Sequence, residues 1–223
     1  MSGTAAGGRK GVAWTARATI ARMPSEILVP RIGPTDRLVE LPALHLVDAV
    51  TGEPPRLATS LRIAARGGLL LVRFDARHRG IVATLRESNS PLWTEDVVEA
   101  FISADDPPRH YVELEVNPLG TTFSARVDSP RGSRTGMSVE TFYLPGFSAG
   151  VRRGEGRWSA LLRIPAPAFG RGALPADFRA NFFRIDRTSG EFTALFPTRA
   201  DPPDFHVASA FGRFRVADGT GLE

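Results

Sequence analysis

The 223-residue chain contains no cysteine, which excludes disulfides, thiolate nucleophiles and thiolate metal centres. Lysine is nearly absent as well, Lys10 being the only one, so the formal charge of +4 rests almost wholly on arginine. The arginines are scattered rather than clustered, and no run interleaves basic with aromatic residues. No nucleic-acid partner is therefore expected. Long apolar runs are also missing. No segment approaches the ~20 apolar residues needed to span a bilayer, and Met1 to Arg22 lacks the continuous apolar core of a signal peptide. The chain reads as soluble, with no membrane partner, cytoplasmic by default or secreted had a signal been removed. The sequence does not specify an oligomeric state.

Catalytic signatures are missing too. The four histidines, His45, His78, His110 and His206, stand far apart without metal-ligand spacing. There is no GxSxG elbow, no phosphate-binding glycine loop opening a helix, no HExxH and no dinucleotide fingerprint. No catalytic residue and no metal ligand is assigned, and no cofactor is expected. Asp105-Asp106 before Pro107-Pro108 leaves calcium open, although calcium needs six to eight oxygens.

What is present is strand patterning, set among 18 prolines and 22 glycines. Residues 1–12 are rich in Gly, Ala and Ser and read as a disordered tail, with residues 13–223 forming a single domain. Leu61–Ala65 and Leu69–Phe74 flank Gly67-Gly68, a pair that supplies the positive φ angles of a tight hairpin. Tyr111–Asn117 alternates strictly, with Val112, Leu114 and Val116 on one face and Glu113, Glu115 and Asn117 on the other. Further strands are predicted at 96–103, 121–128, 138–143, 157–164, 179–187 and 211–216. Helical patterns are nearly missing, apart from a short turn starting at Pro165. The fold class is therefore all-β, an antiparallel two-sheet β-sandwich with few helical turns.

The stretch from Pro91 to Ile102 carries the strongest functional signal. Trp93 stands where a loop enters a strand, beside Glu95, Asp96 and Glu99. A sugar ring is bound by this mixture of a flat apolar surface and hydroxyl acceptors. Trp93 is either a ligand platform or a corner of the core. Glu99 shares a strand face with Val97 and Phe101, and serves either as a hydroxyl acceptor in a cleft or as half of an ion pair. Arg184 and Asp186 alternate outward from a strand containing Phe183 and Ile185, with the same choice.

These residues also carry a resemblance. PLWTEDVVEAFIS (91–103), YVELEVNPLG (111–120), RWSALLRIP (157–165), RANFFRID (179–186), FHVASAFGRFRV (205–216) and the early hairpin LRIAARGGLLLVRFDA (61–76) resemble, in order, the carbohydrate-binding modules of family 9 and the DOMON-like β-sandwiches. The resemblance implies a jelly-roll-like sandwich and a non-catalytic saccharide site. Trp93 and Phe205 would sandwich a terminal sugar, with Glu99, Glu113, Arg184 and Asp186 at its edges. The sequence departs from the family where an arginine of sugar-binding members is replaced by Glu113, and where a Trp-x-Pro element reads Leu195-Phe196-Pro197. Three alternatives remain: a structural or protein-interaction domain without a sugar, a glycoside hydrolase using Asp96 and Glu115, and a haem domain with Met137 and His206 as axial ligands.

Overall fold

The computed structural model describes residues 26–218; the expected tail at 1–12 lies outside the described residues. The first strands are β1 (Glu26–Val29), β2 (Leu44–His45), β3 (Val47–Asp48), β4 (Thr59–Arg66) and β5 (Leu69–Arg77). The middle of the chain supplies β6 (Val97–Ser103), β7 (His110–Val116), β8 (Thr122–Asp128), β9 (Ser138–Thr141) and β10 (Ser148–Gly154). It ends with β11 (Arg157–Pro165), β12 (Asp177–Asp186), β13 (Glu191–Ala194) and β14 (Gly212–Val216). The helical segments among the described residues are short 3-10 turns, including the expected one at Ala166–Phe169. None is long and apolar enough to cross a membrane.

The strands form two sheets. A nine-stranded sheet runs β1-β14-β12-β6-β7-β8-β9, with β13 and β3 branching from β12, and a five-stranded sheet runs β10-β11-β5-β4-β2. Among the described strands pairing is antiparallel except between β1 and β14, which run parallel, and one isolated parallel bridge joins Arg31 to Ala65. The glycine hairpin forms as its composition requires: Gly67 and Gly68 have φ of 55° and 79°, and Arg66 pairs with Leu69 across the two-residue turn. The sequence reading passed over β1, β2, β3, β10 and β13. Two of these are only two residues long, and β10 (SAGVRRG) is an exposed edge strand with little apolar patterning.

The main core lies between the sheets. Leu61, Ile63, Val72, Phe74, Leu162 and Ile164 of the smaller sheet pack against Val98, Ala100, Ile102, Leu114, Val116 and Phe182 of the larger. The larger sheet is apolar on its far face as well, where Val97, Phe101, Tyr111, Phe123, Phe183, Ile185, Phe205 and Phe211 form a second cluster. Loops cover this second cluster incompletely. The opening between them is the site described next.

Candidate functional site

Pro91 leads into a one-turn 3-10 segment, Leu92–Thr94. Within it Leu92 is fully buried, while its neighbour Trp93 is left 43 % exposed at the lip of a cleft. The turn is tied by Thr94 Oγ1 donating to the Pro91 carbonyl (2.7 Å). The Glu95 carboxylate accepts from Thr84 N (2.6 Å), Thr84 Oγ1 (2.5 Å) and Leu85 N (3.2 Å). Burial acts to raise the Glu95 carboxyl, but these donors outweigh it and hold the group below its usual range. Asp96 accepts from the backbone amides of Val82 (2.9 Å) and Arg187 (2.7 Å). Two of the three carboxylates in the motif are therefore loop pins. Glu99 alone faces the cleft.

The floor follows from strand register. β6 and β7 pair so that Glu99 stands opposite Glu115 and Phe101 opposite Glu113. Because alternate residues share a face, the three glutamates gather on the cleft side, and one oxygen from each lies within 4.8 Å of the others. All three are buried, and Glu115 is wholly inaccessible. Burial raises each carboxyl above its ordinary range. Glu113 adds to the rise at Glu99, and Glu99 and Glu113 add to it at Glu115.

The walls are mostly aromatic, around a cleft of about 360 Å³. Trp93 meets Phe123 edge-on, with ring centroids 5.2 Å apart at 80°. Phe205 stacks on Phe183 at 4.2 Å and 14°, and is only 7 % exposed. One of its faces is thus taken by the protein, although the residue still lines the cleft with Trp93, Glu99 and Glu113. Arg187 donates to the Trp93 carbonyl, and its guanidinium carbon stands 5.3 Å from the Phe192 ring centroid. Arg134 enters from a loop, paired with Asp204 at 2.9 Å.

His206 and Met137 share one wall. The Tyr111 hydroxyl stands 2.8 Å from His206 Nδ1 and 3.9 Å from Met137 Sδ. Burial, followed by the nearby Arg134 charge, pushes the His206 imidazole down to about 4, while burial raises the Tyr111 phenol. Both groups are therefore neutral at pH 7, and the tautomer of His206 decides which of them donates.

Of the six predicted binding residues, Trp93, Glu99, Glu113 and Phe205 come together and line this cleft. Arg184 and Asp186 do not. Outward alternation was expected for them, but they share parity with Phe182 and point between the sheets, both about 98–99 % buried and paired with each other. Arg184 Nη1 reaches across to Thr59 Oγ1 on β4 (2.9 Å), and burial lowers the guanidinium despite the Asp186 charge. The Asp96–Glu115 pair of the hydrolase alternative is also separated in role, since both Asp96 oxygens are engaged by backbone amides.

The family model for carbohydrate-binding family 9 matches residues 53–216. The chain belongs to carbohydrate-binding family 9. A curated relative from Arthroderma benhamiae, described as an extracellular protein, is 24 % identical over 197 residues, covering 79 % of this chain and 89 % of the relative. Among solved structures, a candidate carbohydrate-binding protein from Bacteroides uniformis superposes with a TM-score of 0.72 at 20 % identity, covering 86 % of this chain and 99 % of that one. A family 9 module from Caldicellulosiruptor kristjanssonii in complex with cellotriose gives 0.59 at 12 % identity, with 89 % and 98 % covered. A family 9 module from the same organism in complex with glucose gives 0.53 at 11 %, with 88 % and 98 % covered.

Sequence reasoning missed several residues of this family 9 cleft, namely Phe123, Arg134, Arg187 and Phe192. Phe123 was legible in principle, because a strand was predicted over it. Arg187 continues the odd-numbered face of Phe183 and Ile185 just beyond the end of β12. Arg134 left no local signal, since a loop alone brings it in.

Proposed function

We propose that the cleft binds a carbohydrate without catalysing its cleavage. The observation that carries this reading is Trp93, held 43 % exposed above buried carboxylates by a fully buried Leu92 and a hydrogen-bonded turn. An exposed indole face offers a pyranose ring its apolar contact. Glu99 and Glu113 at the floor offer oxygens to the hydroxyls, and Arg187 and Arg134 donate to them, the guanidinium charge strengthening those bonds. In sugar-binding relatives an arginine stands where this chain has Glu113, so a guanidinium from Arg187 or Arg134 takes over its part. Phe205 serves as the opposite apolar wall through the face that Phe183 leaves uncovered. Family membership and the saccharide complexes of the structural neighbours support the same reading.

The arrangement of acids favours binding over hydrolysis. Glycoside cleavage places two carboxyl groups on either side of the scissile bond. Among the described residues, Glu99 and Glu113 are the acids lining the cleft, and both lie on the floor. The relative described as extracellular supports a secreted setting, where polysaccharide is met.

At roughly −0.3 kcal/mol per heavy atom, a disaccharide of about 23 heavy atoms gains about −7 kcal/mol, a Kd of about 10 μM. Calorimetry with glucose, cellobiose and cellotriose tests this. Trp93→Ala should weaken binding at least tenfold with the thermal midpoint nearly unchanged. If no mono- to tetrasaccharide binds at millimolar concentration, the protein is a structural or interaction domain instead.

A further inference from the structure

The glutamate triad asks for something that the saccharide reading does not supply. Glu115 is wholly buried, and neither of its carboxylate oxygens makes a hydrogen bond of ordinary geometry among the described residues, although the Trp93 amide and the Glu113 carboxyl approach it. Glu99, 2 % exposed, leaves Oε1 unpartnered in the same way. Buried carboxylates are ordinarily paired with a cation or fully hydrogen-bonded. Arg187 and Arg134 line the same cleft and their charges act on Glu99 and Glu113, but their hydrogen bonds go to the Trp93 carbonyl and to Asp204. The orphaned oxygens therefore gather beside one another, with Glu99 and Glu113 opening onto the cavity and Glu115 directly beneath.

We propose that Glu99, Glu113 and Glu115 bind a divalent, oxygen-seeking cation of the calcium class beneath the aromatic cleft. Three oxygens no more than 4.8 Å apart lie at most about 2.8 Å from a common centre, which leaves room for calcium–oxygen distances of about 2.3–2.6 Å. Three carboxylates offer up to six oxygens, and the open side of the cavity admits water or a vicinal diol to complete the six to eight that calcium takes. Charge favours a dication over an ammonium group. Burial favours protons on these groups, and a cation that displaces them meets a charge of −3, which a single positive charge leaves largely uncompensated, whereas a dication neutralises most of it. Magnesium demands a tight octahedron at about 2.0–2.1 Å and gives up its waters reluctantly, so a set of three buried carboxylates suits calcium better.

The proposal does not depend on any sugar being bound, and its test is separate. Terbium is a luminescent stand-in for calcium, excited by energy transfer from a nearby indole, and Trp93 lines the cavity with Glu99 and Glu113. Chelator-treated protein titrated with terbium should show sensitised emission that saturates at one equivalent and is displaced by calcium. Calcium at about one hundred times its Kd should also raise the thermal midpoint by about 5 °C or more. The double variant Glu113→Gln/Glu115→Gln should weaken both effects at least tenfold. Trp93→Phe should lose the emission but keep the thermal rise. Glutamine is isosteric and removes buried charge, so the double variant should fold, with circular dichroism as the check and Glu99→Gln as the second variant. The proposal is overturned if calcium, manganese and magnesium leave the midpoint unmoved and terbium does not emit. Effects that persist in both sets of glutamine variants overturn it equally. Tighter binding of glucosamine than glucose by a protein indifferent to metals overturns it in favour of an ammonium site.

Discussion

Replacing Asp186 with alanine should unfold this protein more readily while leaving its cleft untouched. Arg184 lies in the sandwich interior, 2 % exposed, with Asp186 as its only charged hydrogen-bond partner among the described residues and Asp96 and Glu191 as further countercharges. Removing the carboxylate leaves a guanidinium held by Thr59 Oγ1 at 2.9 Å and the Leu57 carbonyl at 3.4 Å. Breaking a buried pair on one side costs about 3–5 kcal/mol, mostly from the uncompensated charge. The remaining acceptors place the loss at the lower end of that range. Asp186 Oδ1 also accepts from Ser189 N (2.8 Å) and Ser189 Oγ (3.0 Å), worth about 0.5–1 kcal/mol each net. The sum is about 4 kcal/mol, or a urea midpoint lowered by about 2 M at a slope near 2 kcal/mol/M. The double variant Arg184→Met/Asp186→Asn removes both charges and should fall within about 1 kcal/mol of wild type. Saccharide affinity should be unaltered in both. A loss below about 1 kcal/mol for Asp186→Ala would refute the reasoning. Weakened sugar binding at unchanged stability would do the same, since it would return the pair to the cleft face.

Phe205→Ala should lose about 3 kcal/mol in chemical denaturation, because the ring is stacked on Phe183 and nearly buried. Trp93→Ala should lose no more than about 1 kcal/mol, its edge contact with Phe123 being its main aromatic attachment. Gly212→Ala places a methyl carbon 2.1 Å from the Phe196 ring, an overpacking worth about 2–3 kcal/mol, visible as a lower thermal midpoint. His206 titrates near 4 in the fold against 6.5 unfolded, so the unfolded chain binds more protons between these values. Its contribution is fully present above pH 6.5 and is lost as pH falls towards 4, to a ceiling of about 3 kcal/mol. Denaturation of wild type and His206→Gln from pH 8 to 4 should show this decline in wild type alone. Haem titration should leave the visible spectrum that of free haem, because His206 and Met137 both stand against the Tyr111 hydroxyl on one wall, whereas an axial pair must face each other across the ring.

Local pattern was enough for most of the strands, the glycine hairpin, and the shared face of Val97, Glu99 and Phe101. Period-two alternation and positive-φ turns are properties of neighbouring residues, and they survive whatever the rest of the chain does. The same reasoning separated the faces of β12 but could not say which face was which. Phe182 and Phe183 are both fully buried, on opposite sides of a sheet that is apolar on both. Parity alone therefore sent Arg184 and Asp186 to the cleft, and only the packing of the smaller sheet shows them inside the sandwich. The glutamate triad likewise required the β6–β7 register, and the loop pins at Glu95 and Asp96 required knowing which amides the loops bring near. Alternation assigns a side chain to one of two directions, while what waits in that direction is settled by chain segments far away in sequence.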